Sequence, residues 1–449
     1  MARARRDGIY LLLLGASVFL MLSISLATVS PAAMVDFKAL NYSGKCLLQH
    51  RDPYNLADVK NVYREEQIGS SLATAQDGWN IPQFVYLPTL FTFTIPFALL
   101  PYSLSHLLWI ALTAGTILVS AYLMWNIAAA YSPLVAGFLA GLLLANSELA
   151  VILGNPAGIA ISLCVIAVWC FVTNRLVLVG IFCLSIGLIV KPHDAGLVWL
   201  YFMIAGKDFR KHAVRVLLLT ALLSIPSILW VTHIAPEWMQ ELHTALSIAS
   251  QHGGMNDPGP ASSGGHGVGM LISLQTALSL IKDDPAFYNP VTYLILGALI
   301  ALWIVATTRL RATAEKTWVA LAAIAALSML PVYHRQCDAM ILFLTIPACA
   351  ILWKRGGISA RLALLISTAG IVLTGDLTWA IFLGVLPMLR IPPGGWTGQL
   401  QTALLLGPAP LSLLAVGAFY LWFYLQMARS ETASEGTRRE SLLQEPLPR

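Results

Sequence analysis

Charge is scarce in this chain. Only 11% of its 449 residues are Asp, Glu, Lys or Arg, against 57% hydrophobic residues, and the mean hydropathy is +0.74. A soluble domain carries about a quarter charged residues, so a water-covered globule is excluded and a polytopic membrane protein is expected. Hydrocarbon also excludes open sheet, because every backbone amide there must be bonded internally. The six cysteines contain no Cys-x-x-Cys pair, so nothing points to structural zinc. No Gly-x-Gly-x-x-Gly or P-loop is present to support nucleotide binding, and no Asp-x-Asp pair occurs. There is no stripe of basic residues interleaved with aromatics, so nucleic acid is not an expected partner. His243, His252 and His266 are too scattered to suggest a metal site. Internal repeats of the transporter kind are not visible.

Long apolar runs are abundant. A span needs about 20 apolar residues, and on that scale the segments predict about 12 full transmembrane helices plus one partial segment. The partial one is 84–100, where Pro82, Pro88, Pro96 and Pro101 favour a re-entrant or kinked path. The first span, 9–30, lacks a small-residue cleavage site and reads as a retained helix. Basic clusters set the orientation: Arg3/Arg5/Arg6, Lys207/Arg210/Lys211/Arg215, Arg309/Arg311/Lys316, Lys354/Arg355/Arg361 and Arg429/Arg438/Arg439. The positive-inside rule makes them cytoplasmic, with both termini, and accounts for the net charge of +5. If 84–100 crossed fully, the four charges at 207–215 would fall outside; a partial crossing avoids that. One transmembrane domain, 1–427, is expected, with a first outward loop at 31–83, a flexible outward loop at 234–290 and a disordered tail at 428–449.

Polar residues then concentrate on the outward face. Residues 31–83 carry 11 charged residues, whereas the next 129 positions from 78 carry Glu148, Arg175, Lys191 and Asp194 alone. Within the loop, 55–68 reads as a short interfacial helix with Leu56, Val59, Val62 and Tyr63 on its apolar side. Asp36 lies about one turn beyond the first span, where partial desolvation would raise its pKa and make it a better base. A helix-end carboxylate reaching for water is the plainer alternative. Lys191 beside Pro192 can be a helix end snorkelling to the interface, and His334 can be structural. Asp194, Glu148 and Asp376 can tune a cavity or bind sugar hydroxyls. Trp79, Trp379 and Trp396 read as interface-belt anchors. Cys164, Cys170, Cys183 and Cys349 read as small core hydrophobes, whereas Cys46 and Cys337 fall in outward loops where pairing is open.

Several short motifs occur in order. They are Asp36-Phe37 with Tyr42, Arg51-Asp52-Pro53-Tyr54, Phe84-Val85-Tyr86-Leu87-Pro88, Leu153-Gly154-Asn155-Pro156, the Lys191-Pro192 helix break, and Leu330-Pro331-Val332-Tyr333-His334-Arg335. Together, over roughly residues 10–350, they resemble glycosyltransferase family 87. The sequence departs from the family wording at Arg51, at Leu87, and in lacking a glutamine beside Asn155. The resemblance implies a GT-C type all-α helical bundle and a polyprenyl-phosphate-linked sugar as donor, mannose or a related sugar. It implies Asp36 as catalytic base, His334 and Lys191 near the donor phosphate or acceptor, and Tyr54 and Tyr86 at the aromatic positions. It gives no reason to require a metal or cofactor.

The chemistry is coherent with those residues. A lipid phosphate leaves readily, so the reaction needs a base for the acceptor hydroxyl and cations for the departing phosphate. Asp36 supplies the first; Lys191, Arg335 and His334 supply the second. Asp52 and Asn155, with Asp194, Glu148 and Asp376, complete a possible substrate cavity. The expected activity is inverting transfer of one hexose or pentose to a lipid or glycan acceptor on the periplasmic face of the inner membrane. The rival readings are a transporter or flippase for a lipid-linked substrate, and a noncatalytic membrane scaffold.

Overall fold

A peptide group withheld from water must find its partner nearby, and a helix provides it within the same segment. The computed structural model describes residues 2–29, 33–68, 81–262, 271–310, 312–385 and 395–443. Among these the architecture is all-α, with an isolated bridge between Leu271 and Arg335. The first half comprises α1 (Ala2–Val29), α2 (Val35–Leu48), α3 (Leu56–Ile68), α4 (Phe91–Ala98), α5 (Tyr102–Ala128), α6 (Pro133–Leu144), α7 (Leu149–Ile152), α8 (Ala157–Thr173), α9 (Val177–Val190) and α10 (Pro192–Ile204). Then follow α11 (Lys207–Ile234), α12 (Trp238–Ser250), α13 (Leu274–Ser279), α14 (Pro285–Arg309) and α15 (Ala314–Ser328). A 3-10 segment, Gln336–Leu344, leads into α16 (Thr345–Arg355), α17 (Gly357–Leu373), α18 (Asp376–Val385), α19 (Gly395–Leu406) and α20 (Pro408–Leu443).

Among the described residues, seven helices are long and apolar enough to cross a membrane, or eight if the pair α17 and α18, bent by 62°, is one span. Pro88–Ala98, α8 and α9 are shorter apolar helices. The roughly 12 full crossings expected from hydropathy therefore exceed the helices of spanning length. The reason is local: the apolar stretch 156–206 is cut at Asn174 and Leu176, both with positive φ, and again at Lys191-Pro192. Helices of 17, 14 and 13 residues result.

Close packing replaces hydrophobic driving force between such helices. A Cβ on Gly15 would run into the backbone of Gly141, and one on Gly137 into that of Gly8, so α1 and α6 touch through glycine. The span Gln336–Arg355 is almost wholly enclosed by other helices, whereas α1, α11 and α14 leave most of their surface outward. Leu14, Leu218, Leu229 and Leu294 are among the apolar side chains left exposed there, the arrangement a lipid solvent requires.

The two ends of the bundle differ in charge. At one end Arg5 lies 5.8 Å from the Trp125 ring, Lys354 lies 5.5 Å from Tyr131, and Arg355 pairs with Glu315 at 2.6 Å. At the other end of α1 and α5, Phe37 meets Tyr102 at 6.0 Å and Trp109 at 4.8 Å. Asp36 thus sits a full helix length, about 40 Å, from the basic N-terminus.

Three segments differ from their sequence reading. α3 forms where a helix was expected, but Val59, Val62 and Tyr63 are buried against α2, with Tyr63 edge-on to Tyr42 at 4.9 Å. Its apolar stripe is covered by protein rather than lying in a membrane interface. The 234–290 stretch holds α12 and α13 and a buried Asp257 bonded by Gly253 and Gly259 N–H; residues 263–270, with His266, lie outside the described set. α20 continues to Leu443, past the boundary at 428. Cys46 and Cys337 are both buried and free, so the pairing left open by the sequence does not occur. Trp79 lies outside the described residues.

Candidate active site

A positive φ at Gly154 begins the site. α7 is a single turn, closed when Gly154 (φ 64°) and Asn155 donate back to the Val151 and Ala150 carbonyls. A Cβ at Gly154 would come within 2.6 Å of the Phe37 Cβ, so glycine is required for both backbone and space. The turn presents the Leu153 carbonyl to the Asp36 N–H at 2.9 Å, and the Gly154 carbonyl to the Trp109 indole at 3.0 Å. Gly154→Ala should lower the melting temperature measurably, through a cost of about 1–3 kcal/mol for strained backbone. Wild-type thermal stability in the variant would show that the turn relaxes.

Asn155 connects this turn to the carboxylate. Its Oδ1 accepts the Ala157 N–H at 2.9 Å, which turns Nδ2 toward Asp36 Oδ2 at 2.7 Å. No other protein group among the described residues donates to the Asp36 side chain. Asp36 is half-buried, and this burial raises its pKa above the ordinary carboxylate value. The Asn155 bond and the charges of Arg335 and Lys191 pull in the opposite direction without cancelling it. The Tyr86 hydroxyl lies within reach of the Asp36 and Lys191 charges.

Beneath that half-open surface is a buried charge cluster. Lys191 caps the break between α9 and α10; its ammonium lies 2.6 Å from Asp338 Oδ1 and 3.4 Å from Asp194 Oδ2. His334 has acceptors on both sides, the Val332 carbonyl 3.0 Å from Nδ1 and Asp194 Oδ1 3.1 Å from Nε2. An imidazolium would offer a proton to each. Burial alone would lower the His334 pKa, but the adjacent Asp194 carboxylate outweighs it and the pKa is raised. Two cations, Lys191 and His334, thus balance two carboxylates, Asp194 and Asp338. His193, Asp194 and His334 also bring possible metal-ligand atoms close to one another.

Removing one member of such a cluster leaves uncompensated charge. Lys191→Met should destabilise the fold by about 3–5 kcal/mol, and Lys191→Met combined with Asp338→Asn should recover part of the loss. Chemical or thermal unfolding in detergent reads both; equal stability of the two variants would show that the ion pair is not the cause.

Arg335 is joined to this cluster through its main chain. Its backbone N–H bonds to Asp338 Oδ2 at 2.8 Å, so the buried cluster fixes the main chain beneath it. Its side chain is half-buried and held from the flank, Nε donating to the Tyr333 hydroxyl at 2.5 Å and Nη2 to Asn256 Oδ1 at 3.1 Å. Leu271–Gln275 brace the loop from behind: Ile272 N–H donates to the His334 carbonyl, and Gln275 to the Pro331 carbonyl.

The expected residues thus separate into three groups. Asp36, Asn155, Tyr86, Lys191, Asp194, His334 and Arg335 converge. Tyr54 and Asp52 stand behind them: the buried Tyr54 ring packs on Phe84 at 5.2 Å and its hydroxyl donates to the Tyr86 carbonyl at 2.8 Å, while Asp52 accepts the Tyr54 N–H at 2.8 Å. They shape the backbone that presents Tyr86. Glu148 and Asp376 occupy a separate cavity, and Trp379 lines it instead of standing alone as a belt anchor. Asp338, His193 and Tyr333 were not singled out from sequence. Asp338 reads there as one more polar loop residue, and its buried partner is 147 positions away. His252 meets Asp257 at 3.3 Å rather than His243.

A family model described as glycosyltransferase family 87 matches residues 84–332, more than half of the chain. Neither a curated protein nor a solved structure matches it.

Proposed function

The chain belongs to glycosyltransferase family 87, and from that premise we propose that it moves a single sugar from a polyprenyl-phosphate-linked donor to a lipid or glycan acceptor. Asp36 is the general base. It takes the proton of the acceptor hydroxyl as that oxygen attacks the anomeric carbon; the bond to the lipid phosphate breaks on the opposite side, with inversion, and the phosphate carries away the electron pair. Arg335 stabilises the charge growing on that phosphate. Asn155 keeps Asp36 oriented. Lys191 and His334, already neutralised by Asp338 and Asp194, act in this reading by holding the Arg335 loop, with the long-range field of the cluster a smaller contribution.

One observation carries the reading: a half-buried carboxylate bonded on one oxygen by Asn155, in the field of a half-exposed guanidinium. That pairs a base of raised pKa with a cation at a membrane-protein surface. The placement of Arg5, Lys354 and Arg355 at the opposite end supports a periplasmic site, by the positive-inside rule. Purified protein in nanodiscs, given radiolabelled polyprenyl-phosphate sugars and a membrane extract, should transfer label into product. Failure to consume any donor, with Asp36→Asn still moving a lipid-linked sugar across vesicles, would instead identify a flippase.

A further inference from the structure

Glu148 is buried, and neither of its carboxylate oxygens has a hydrogen-bond partner. It stands at the start of α7, the turn whose other end receives Asp36. Beside it Asp376 opens α18, where Oδ2 accepts the Leu149 N–H at 2.8 Å and Oδ1 is unpartnered. Both line a cavity of about 280 Å³ together with Trp379, whose indole N–H is also unpartnered, and among the described residues no basic one lines it. Apart from Gln336 the remaining described wall is apolar, and much of it comes from Leu22 and Leu26 of α1 and from α18, including Ala380 and Leu383.

The polar inventory selects the ligand. Unpartnered carboxylate oxygens want donors, and an unpartnered indole N–H wants an acceptor. A hydroxyl group provides both. An ammonium could satisfy the carboxylates but not the indole, and a phosphate would meet no basic residue among the described lining. The apolar wall, built from α1, which is long enough to cross a membrane, and from α18, the second half of a bent apolar pair, suits an alkyl chain. The cavity also borders the reaction site: Ile152 lines it while accepting the Met34 N–H at 2.6 Å, and Gln336, another lining residue, follows Arg335.

We propose that this cavity binds the hydroxylated head of a lipid-anchored acceptor, with Glu148 and Asp376 accepting from its hydroxyls and Trp379 donating to one of them. The inference rests on the glycosyltransferase reading and names the acceptor class. No covalent step occurs in the cavity; it holds one hydroxyl-bearing head near Asp36.

A photoreactive dodecyl glucoside with a diazirine on its alkyl chain tests this with full-length protein in nanodiscs. Peptide mapping should place label on α1 and α18, displaced by unlabelled dodecyl glucoside but not by glucose or dodecylamine. Glu148→Gln and Ala380→Trp, the second a plug that leaves both carboxylates in place, should each cut displaceable labelling at least about fivefold, the effect of one lost hydrogen bond to a charged group. Equal labelling of both folded variants overturns the proposal, as does equal competition by dodecylamine or by glucose. The readout needs neither donor nor turnover. Transfer without displaceable labelling refutes this site alone, whereas labelling without transfer refutes the glycosyltransferase reading alone.

Discussion

Asp36→Asn should lower the transfer rate by about 10²–10⁴-fold, the range that loss of a general base produces, while donor binding persists. The substitution keeps an acceptor for the Asn155 amide, so geometry is retained and proton removal is lost. Its stability should move the other way. A carboxyl whose pKa is raised on folding holds its proton more tightly in the native state, so its ionised form costs stability as pH rises through the native pKa. At neutral pH the asparagine variant should therefore melt no lower than the parent. The same shift places the acid limb of kcat/KM above the ordinary carboxylate range of about 4, with activity lost as pH falls through it. A rate that survives the substitution would remove Asp36 from the mechanism, and an acid limb at the ordinary value would remove the argument from burial.

Arg335→Ala should reduce kcat by about 10²–10³-fold, the scale seen when a preorganised donor to a developing anion is removed. Arg335→Lys should recover only part of it. An ammonium keeps the charge but cannot reach Tyr333 and Asn256 together while also facing a phosphate. The Tyr333 and Asn256 bonds orient the guanidinium before substrate arrives, so the loss belongs mainly to kcat rather than to KM. Single-turnover assays with a fixed polyprenyl-phosphate donor separate the two. A change confined to KM would assign Arg335 to ground-state binding.

Much of the site was legible because its members lie in short local patterns. Asp36 follows a span end, Lys191 precedes a proline break, and His334-Arg335 ends an apolar run; each is a charge at a place hydropathy singles out. Gly154 and Asn155 were visible as a turn, though the turn's purpose was not, since the Asn155 amide reaches a carboxylate 119 positions away. The pairing inside the cluster was not legible for a similar reason. Lys191 reads from sequence as an available cation, and the structure surrounds it with Asp338 and Asp194. The apolar stripe of α3 had the right period and the wrong neighbour, because periodicity reports that a face is covered without saying whether lipid or protein covers it.

Composition and hydropathy alone determined a helical membrane body, a charged first loop and the basic asymmetry along the chain. These follow from the cost of an unbonded peptide group or bare charge in hydrocarbon, which acts on each segment separately. Only the folded chain decided which charges cancel and which stay available. Pairing Lys191 with Asp338, or seating Asp376 beside Leu149 some 227 positions away, depends on distance through space, and hydropathy carries none of that. The Arg335 main chain is fixed by Asp338, the same carboxylate that pairs with Lys191 beneath it.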